Sequence, residues 1–313
     1  MEDKKPTLKT FADYLQVYLK GCGMGVADLI PGISGGTIAF IFGIYENLVY
    51  AIRSFDIQAA RSLLRGRLRE ALRHAHWEFL GTLLLGIMTS IFTLSKGLTW
   101  LLENKPVYLN AFFFGLIVAT VPIIGRNIKK WRPVLVSVAV VSTGAMFVLV
   151  GLVPVQTPET PLFLFFSGAL AICAMILPGI SGSFILLLIG KYEYIIAAVS
   201  HHDFATLAYV AAGCVVGILA FVRVLSWLFH RYHDLTVAVL AGLVLGSLRK
   251  IWPWKETLQS MVDHKGRVIP IEQMNILPAQ FSAEVLGALA LAVIGFFIAW
   301  KIGLANPAKL TSR

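Results

Sequence analysis

Residues 27–52 read ADLIPGISGGTIAFIFGIYENLVYAI, and residues 174–199 read AMILPGISGSFILLLIGKYEYIIAAV. Pro31, Gly32, Ile33, Ser34 and Gly35 align with Pro178, Gly179, Ile180, Ser181 and Gly182 at a constant offset of 147. The same offset pairs Gly43-x-Tyr45-Glu46 with Gly190-x-Tyr192-Glu193. A Pro-Gly-x-Ser-Gly break inside an apolar run frees backbone groups that hydrocarbon cannot satisfy. Such a break at corresponding places in two halves of a chain points to the binding site of a transporter.

The rest of the chain is built for lipid. Of 313 residues 57% are hydrophobic and 14% charged, against about 25% charged in a soluble domain. Apolar runs such as Phe79–Leu94 and Val134–Val155 approach or reach the roughly 20 residues that a spanning helix needs. The expected class is an all-α integral membrane protein with no sizeable soluble domain. A net charge of +10 is no nucleic-acid signal here, because the basic residues gather in loops and at helix ends as membrane topology demands. Cys22, Cys173 and Cys214 lack metal-ligand spacing and read as small buried residues, so no metal is expected. The N-terminus shows no apolar core ending in a cleavage site and is expected to be retained.

Beyond the motif the repeat continues at an offset of 127, which pairs Gly86 with Gly213, Lys96 with Arg223, Trp100 with Trp227 and Gly115 with Gly242. The offset shrinks because the first half carries an insert, Arg53–His76. In it Arg61, Arg65, Arg69 and Arg73 recur every four residues and would form a stripe on one helix. That stripe either faces anionic lipid at the membrane surface or only sets topology.

Tyr14–Ile52 reads as a re-entrant hairpin with its tip at Pro31–Gly36. Three spans follow, near Trp77–Leu102, Val107–Gly125 and Val134–Val155. A second hairpin comes next, then spans near Phe204–Phe229, Leu235–Leu248 and Ala283–Trp300. An odd number of spans between the hairpins makes them enter from opposite faces. Residues 1–155 and 156–313 would then be the halves of an inverted-topology repeat with about six full spans. The charge bias agrees. Lys4, Lys5, Lys9, the arginine insert, the loop Arg126–Arg132, Lys301, Lys309 and Arg313 fall on one side, which places both termini in the cytoplasm. The loop Arg249–Gln280, with both signs mixed, is a partial exception.

The expected site is the pair of tips. Glycines permit close backbone approach, and a helix start offers unpaired N–H groups and a partial positive charge to an anion. The candidate substrate-binding residues are Pro31, Gly32, Ser34, Gly35, Gly36 and Thr37, with Pro178, Gly179, Ser181, Gly182 and Ser183. The competing reading is tight helix packing through small residues. Lys96 and Arg223 are cations inside apolar helices, and either face a pathway or snorkel. Asp28 pairs with Met175 in the repeat register, so only one half carries an acid there. It either handles a proton or cation, or makes a structural hydrogen bond. Glu46 and Glu193 lie roughly 18 Å along a helix from the motif serines, where they gate access or anchor at the interface. The seven histidines read as solvated or interfacial.

The doubled motif resembles the bacterial polyprenyl-phosphate transporter family (PopT-like). The likeness rests on Gly25-Val-Ala-Asp28-Leu-Ile-Pro31-Gly32-Ile-Ser34-Gly35-Gly36-Thr37 and on Leu177-Pro178-Gly179-Ile-Ser181-Gly182-Ser183, and it covers most of the chain. The second copy departs from the first at Ser183 and Phe184, where Gly36 and Thr37 stand, which weakens the expectation of hydroxyl contacts there. The resemblance implies a flippase for undecaprenyl phosphate in the bacterial cytoplasmic membrane, acting in lipid carrier recycling for the cell envelope. It implies no cofactor beyond a proton or sodium gradient, and no partner beyond the anionic lipid and the bilayer; the oligomeric state stays open. The residues alone reach a transporter of an anionic substrate, a small anion or carboxylate included. An intramembrane serine hydrolase is the rival class, since residues 32–36 fit G-x-S-x-G. A serine nucleophile needs a base within hydrogen-bond reach, and no histidine falls in mid-span, so no catalytic residue is expected.

Overall fold

The structure, a computed structural model, describes residues 8–262, 268–278 and 280–305. Lys4, Lys5, Lys309 and Arg313 lie outside the described residues. The described chain is helical apart from one β-hairpin. Helix α1 (Phe11–Asp28) starts at a capping box in which Thr10 accepts from Asp13 N–H and the Asp13 carboxylate accepts from Thr10 N–H, satisfying two orphan donors reciprocally. The first break follows, then α2 (Gly35–Ile41) and α3 (Tyr45–Arg53), which are bent by 120° to each other. Next come α4 (Ile57–Leu64), α5 (Leu68–His74), α6 (Trp77–Asn104), α7 (Pro106–Gly125) and α8 (Pro133–Leu149). The second hairpin is α9 (Pro161–Ile176), α10 (Gly182–Leu188) and α11 (Tyr192–Ser200), with α10 and α11 bent by 107°. The chain continues with α12 (Phe204–Arg231), α13 (His233–Ser247), the strands β1 (Lys255–Val262) and β2 (Val268–Asn275), and α14 (Ala283–Ala305).

The 147-residue offset reappears as backbone geometry. Gly32 and Gly179 take φ of +92° and +89°, and Gly43 and Gly190 take +65° and +66°. These are left-handed conformations that favour glycine, so each pair of matched glycines turns the chain in the same way. The helix seams keep the register too. α1 packs on α6 as α9 packs on α12, and α7 packs on α14 as α13 packs on α8. A Cβ at Gly21 or Gly86 would overlap the facing backbone of the first seam, and one at Gly168 or Gly213 that of the second. Gly115 and Gly242 hold the same role on the other two seams. In lipid, helices associate largely through such close packing of small residues, because burial against hydrocarbon supplies no drive.

The perimeter is apolar: Phe92 is 80%, Val141 70% and Leu286 62% exposed. Lipid, not water, accommodates such a surface. Four helices, α6, α7, α12 and α14, are long and apolar enough to cross a membrane, and the number rises to six if each bent pair is one span. This is a multi-pass membrane protein. α8 and α13 have 17 and 15 residues, and α8 ends short of the span Val134–Val155 read from hydropathy. In α8 the apolar run extends to Val155, but Pro154 cannot continue a helix.

Two further expectations are corrected. The arginine insert is not one helix: Gly66, at φ +72°, separates α4 from α5. The four arginines therefore do not share one helical face. The loop Arg249–Gln280 is not plain loop but carries the antiparallel β1–β2 pair.

Candidate functional site: two hairpin tips in contact

The two breaks meet. Ser34, the N-cap of α2, accepts from Gly36 N–H at 3.1 Å, and its hydroxyl proton lies between Met175 O at 3.0 Å and Leu177 O at 3.3 Å on the second hairpin. In return Gly179 N–H donates to Thr37 Oγ1 at 2.9 Å. Ser34 and Thr37 are fully buried. A Cβ at Gly36 would stand 2.6 Å from Ile176 O, so its lack of a side chain lets the tips touch. The expectation that both motifs converge is met by direct hydrogen bonds.

The expected cradle of N–H groups at the first tip is not available. Gly35 N–H donates to Asp28 Oδ1 at 2.7 Å, Gly36 N–H to Ser34 Oγ and Thr37 N–H to Ser34 O. Every residue of α2 is buried, against α7, α9 and α14 among others. Of this tip only Pro31 is exposed. The second tip is the more open one. Ser181 accepts from Phe184 N–H at 3.1 Å and lies 3.1 Å from Ser183 Oγ. Gly182 and Ser183 N–H groups have no partner among the described residues. No residue of α10 is buried, and Ser183 is exposed. Two differences between the halves leave these groups free: Met175 stands where Asp28 accepts from Gly35 N–H, and Ser181 Oγ accepts from Phe184 N–H whereas Ser34 Oγ accepts from Gly36 N–H. Pro178 and Gly179 are buried in the junction, with α13 beside them; a Cβ at Gly179 would lie 2.9 Å from Ser247 Oγ.

The other candidates lie apart. Lys96 is exposed on α6. Arg223 is exposed and donates to Leu219 O and Phe55 O, a perimeter contact with the end of the first hairpin. Glu46 is 3.3 Å from His233 Nε2, whose Nδ1 is 3.2 Å from Asp234 Oδ1. His233, read from the sequence as solvated or interfacial, is half-buried beside two carboxylates; its place on the first turn of α13, within reach of Glu46 of α3, was not visible in spacing. Glu193 keeps a buried Oε1 with no hydrogen-bond partner among the described residues. No group of three or more metal-ligating side chains occurs among the described residues. The Ser34 hydroxyl is engaged by carbonyls and an amide, with no histidine among its partners.

Sequence reasoning missed a cationic pocket beside the second tip, lined by Arg249, Lys250 and Lys255 with Phe184 of α10. The one signal for it was the basic start of the connection that broke the charge bias.

Comparison with known proteins gives the family. A family model described as "VCA0040-like: Undecaprenyl phosphate translocase-like" matches residues 24–269. The chain is 44% identical over 305 residues to a polyprenyl-phosphate transporter of Vibrio cholerae serotype O1, covering 95% of this chain and 98% of that protein. It is 29% identical over 253 residues to a polyprenyl-phosphate transporter of Staphylococcus aureus, covering 75% of this chain and 85% of that protein. Both relatives bear the name of a transporter, not of an enzyme. No solved structure matches the chain. With the doubled break, the joined tips and a match over most of its length, this chain belongs to the undecaprenyl phosphate translocase-like family.

Proposed function

We propose that this chain is a transporter that returns undecaprenyl phosphate across the bacterial cytoplasmic membrane for reuse in cell-envelope synthesis. The observation that carries the reading is the junction of two broken hairpins inside an apolar bundle. The names of the relatives supply the substrate class, a polyprenyl phosphate. The phosphate is received at the second tip, by the free N–H groups of Gly182 and Ser183 and the hydroxyls of Ser181 and Ser183. The first tip, with Pro31, Gly32, Ser34, Gly35, Gly36 and Thr37, is the fixed wall. The polyprenyl tail stays in the bilayer along the apolar perimeter. Asp28, an acid at the junction, is the group through which a proton or sodium gradient would act.

In this reading residues 1–155 and 156–313 are inverted repeats, with α6, α7, α8, α12, α13 and α14 as spans and both termini cytoplasmic. The matched seams and paired glycine conformations support it. Transport then proceeds by rocking of one repeat against the other about the junction. Cysteines introduced at Arg61 and at His202 are expected to label from opposite sides of intact cells. Labelling of both from one side would end the inverted-repeat reading.

The substrate is tested by binding to the purified protein. Undecaprenyl phosphate is expected to bind in preference to undecaprenyl pyrophosphate and to inorganic phosphate. A preference for a soluble anion would overturn the lipid assignment and favour a small-anion carrier.

A further inference from the structure

One pocket is lined by three cations and, among the described residues, no acid. The pocket lies between the end of α8, α10 and the β-hairpin, and its lining includes Arg249, Lys250, Lys255, Gln273 and Asn275 but no carboxylate. Each cation is held in place by neutral groups. Arg249 Nη1 donates to Phe147 O at 2.8 Å, and the guanidinium sits 4.5 Å from the Phe147 ring centre. A Cβ at Gly151 would overlap that guanidinium, so glycine leaves the space in which it lies. Lys255 Nζ donates to Lys250 O, and Asn275 Nδ2 donates to Arg249 O at 2.9 Å. Lys250 Nζ stands 4.8 Å from the Phe184 ring centre on α10, and its stem lies against the first tip, 2.7 Å from where a Gly32 Cβ would be. Lys250 therefore joins the pocket to both hairpins.

None of these three side chains has a carboxylate partner among the described residues. Burial, with the neighbouring Lys250 charge, pushes Lys255 down to about 8. Burial and the adjacent Arg249 also lower Lys250. Like charges half removed from water repel one another, and an anion among them offsets that repulsion. Three cationic donors with neutral amides suit a doubly charged oxyanion, which the arginine fork can grip with two hydrogen bonds. The pocket wall formed by Phe184, Leu187 and Leu188 is apolar.

We propose that this pocket binds a phosphate monoester through Arg249, Lys250 and Lys255, as the docking site from which a headgroup passes to the second tip. The proposal rests on the transporter reading above. Two sources share this chemistry, a polyprenyl phosphate headgroup and free phosphate, and the docking role belongs to the first.

The test uses the full chain in nanodiscs, with undecaprenyl phosphate in the bilayer or inorganic phosphate in the buffer. The Lys250→Gln/Lys255→Gln double variant is expected to bind the lipid at least tenfold more weakly than wild type, since hydrogen bonds to a charged acceptor are lost. The Lys250→Arg/Lys255→Arg variant should recover most of the binding. Should the glutamine variant not fold, the wild-type protein still decides. The lipid should protect Lys255 from an amine-reactive reagent, read by mass spectrometry; a lysine with a lowered pKa is a ready target. Binding by wild type with equal affinity in the folded glutamine variant, or no protection of Lys255, overturns the pocket and leaves the transporter reading intact. Failure of wild type to bind the lipid at all overturns the transporter reading itself. Protection by inorganic phosphate as effective as by the lipid assigns the pocket to free phosphate and overturns the docking role.

Discussion

Replacing Gly36 with valine is expected to separate the two hairpin tips, destabilise the protein by about 1–3 kcal/mol and abolish transport. The new Cβ alone would stand 2.6 Å from Ile176 O and 3.2 Å from Ser34 Oγ. Ile176 O is backbone, so it cannot yield without moving the second break. The hydrogen bonds between Ser34 and Met175 O and between Gly179 N–H and Thr37 would stretch together. The residue at the matching position of the other half, Ser183, is exposed and bonds only to Ser181. Ser183→Val should therefore leave stability within about 0.5 kcal/mol of wild type. Thermal unfolding of both purified variants checks this asymmetry in stability, and transport in proteoliposomes checks the loss in the Gly36 variant. A Gly36→Val variant as stable as wild type would show that the tips do not depend on this contact.

Asp28→Ala should cost about 1.5–3 kcal/mol, the range for a hydrogen bond to a charged group. It strips Gly35 N–H of its acceptor at the start of a fully buried half-helix. Asp28→Asn retains an acceptor oxygen and should fold, with a weaker bond because the charge is gone. Denaturation of the two variants side by side measures the capping role. An alanine variant as stable as wild type would remove it. The asparagine variant then reports on coupling: if it binds the lipid but no longer responds to an imposed gradient, Asp28 carries the coupling charge.

The membrane class and both breaks were legible in the amino-acid order. They rest on local properties. A run of apolar residues is long or short wherever it ends up, and a glycine at Gly32 or Gly179 permits a positive φ before any neighbour arrives. The seam glycines were visible only as matched positions, Gly86 with Gly213 and Gly115 with Gly242 at one offset; that they are contacts came from the packing. The β-hairpin was hidden, since a polar connection of mixed charge has no single period to read. The arginine stripe looked continuous because its spacing is helical; a single glycine, Gly66, was enough to break it.

What the sequence by itself determined is that the chain turns twice within apolar runs with the same local geometry, because proline and glycine impose their conformations at short range. Which of the two turns still offers hydrogen-bond donors was decided only by the tertiary structure. The motifs are nearly identical in composition, yet the first is buried among α7, α9 and α14 and closed by Asp28, which folds back from seven residues earlier. The second has Met175 in that place and an α10 with no buried residue. Likewise Arg249, Lys250 and Lys255 are ordinary basic residues of a loop until the hairpin folds over the end of α8 and brings them to one pocket. Donor satisfaction and charge convergence depend on what packs alongside, and spacing along the chain does not encode that.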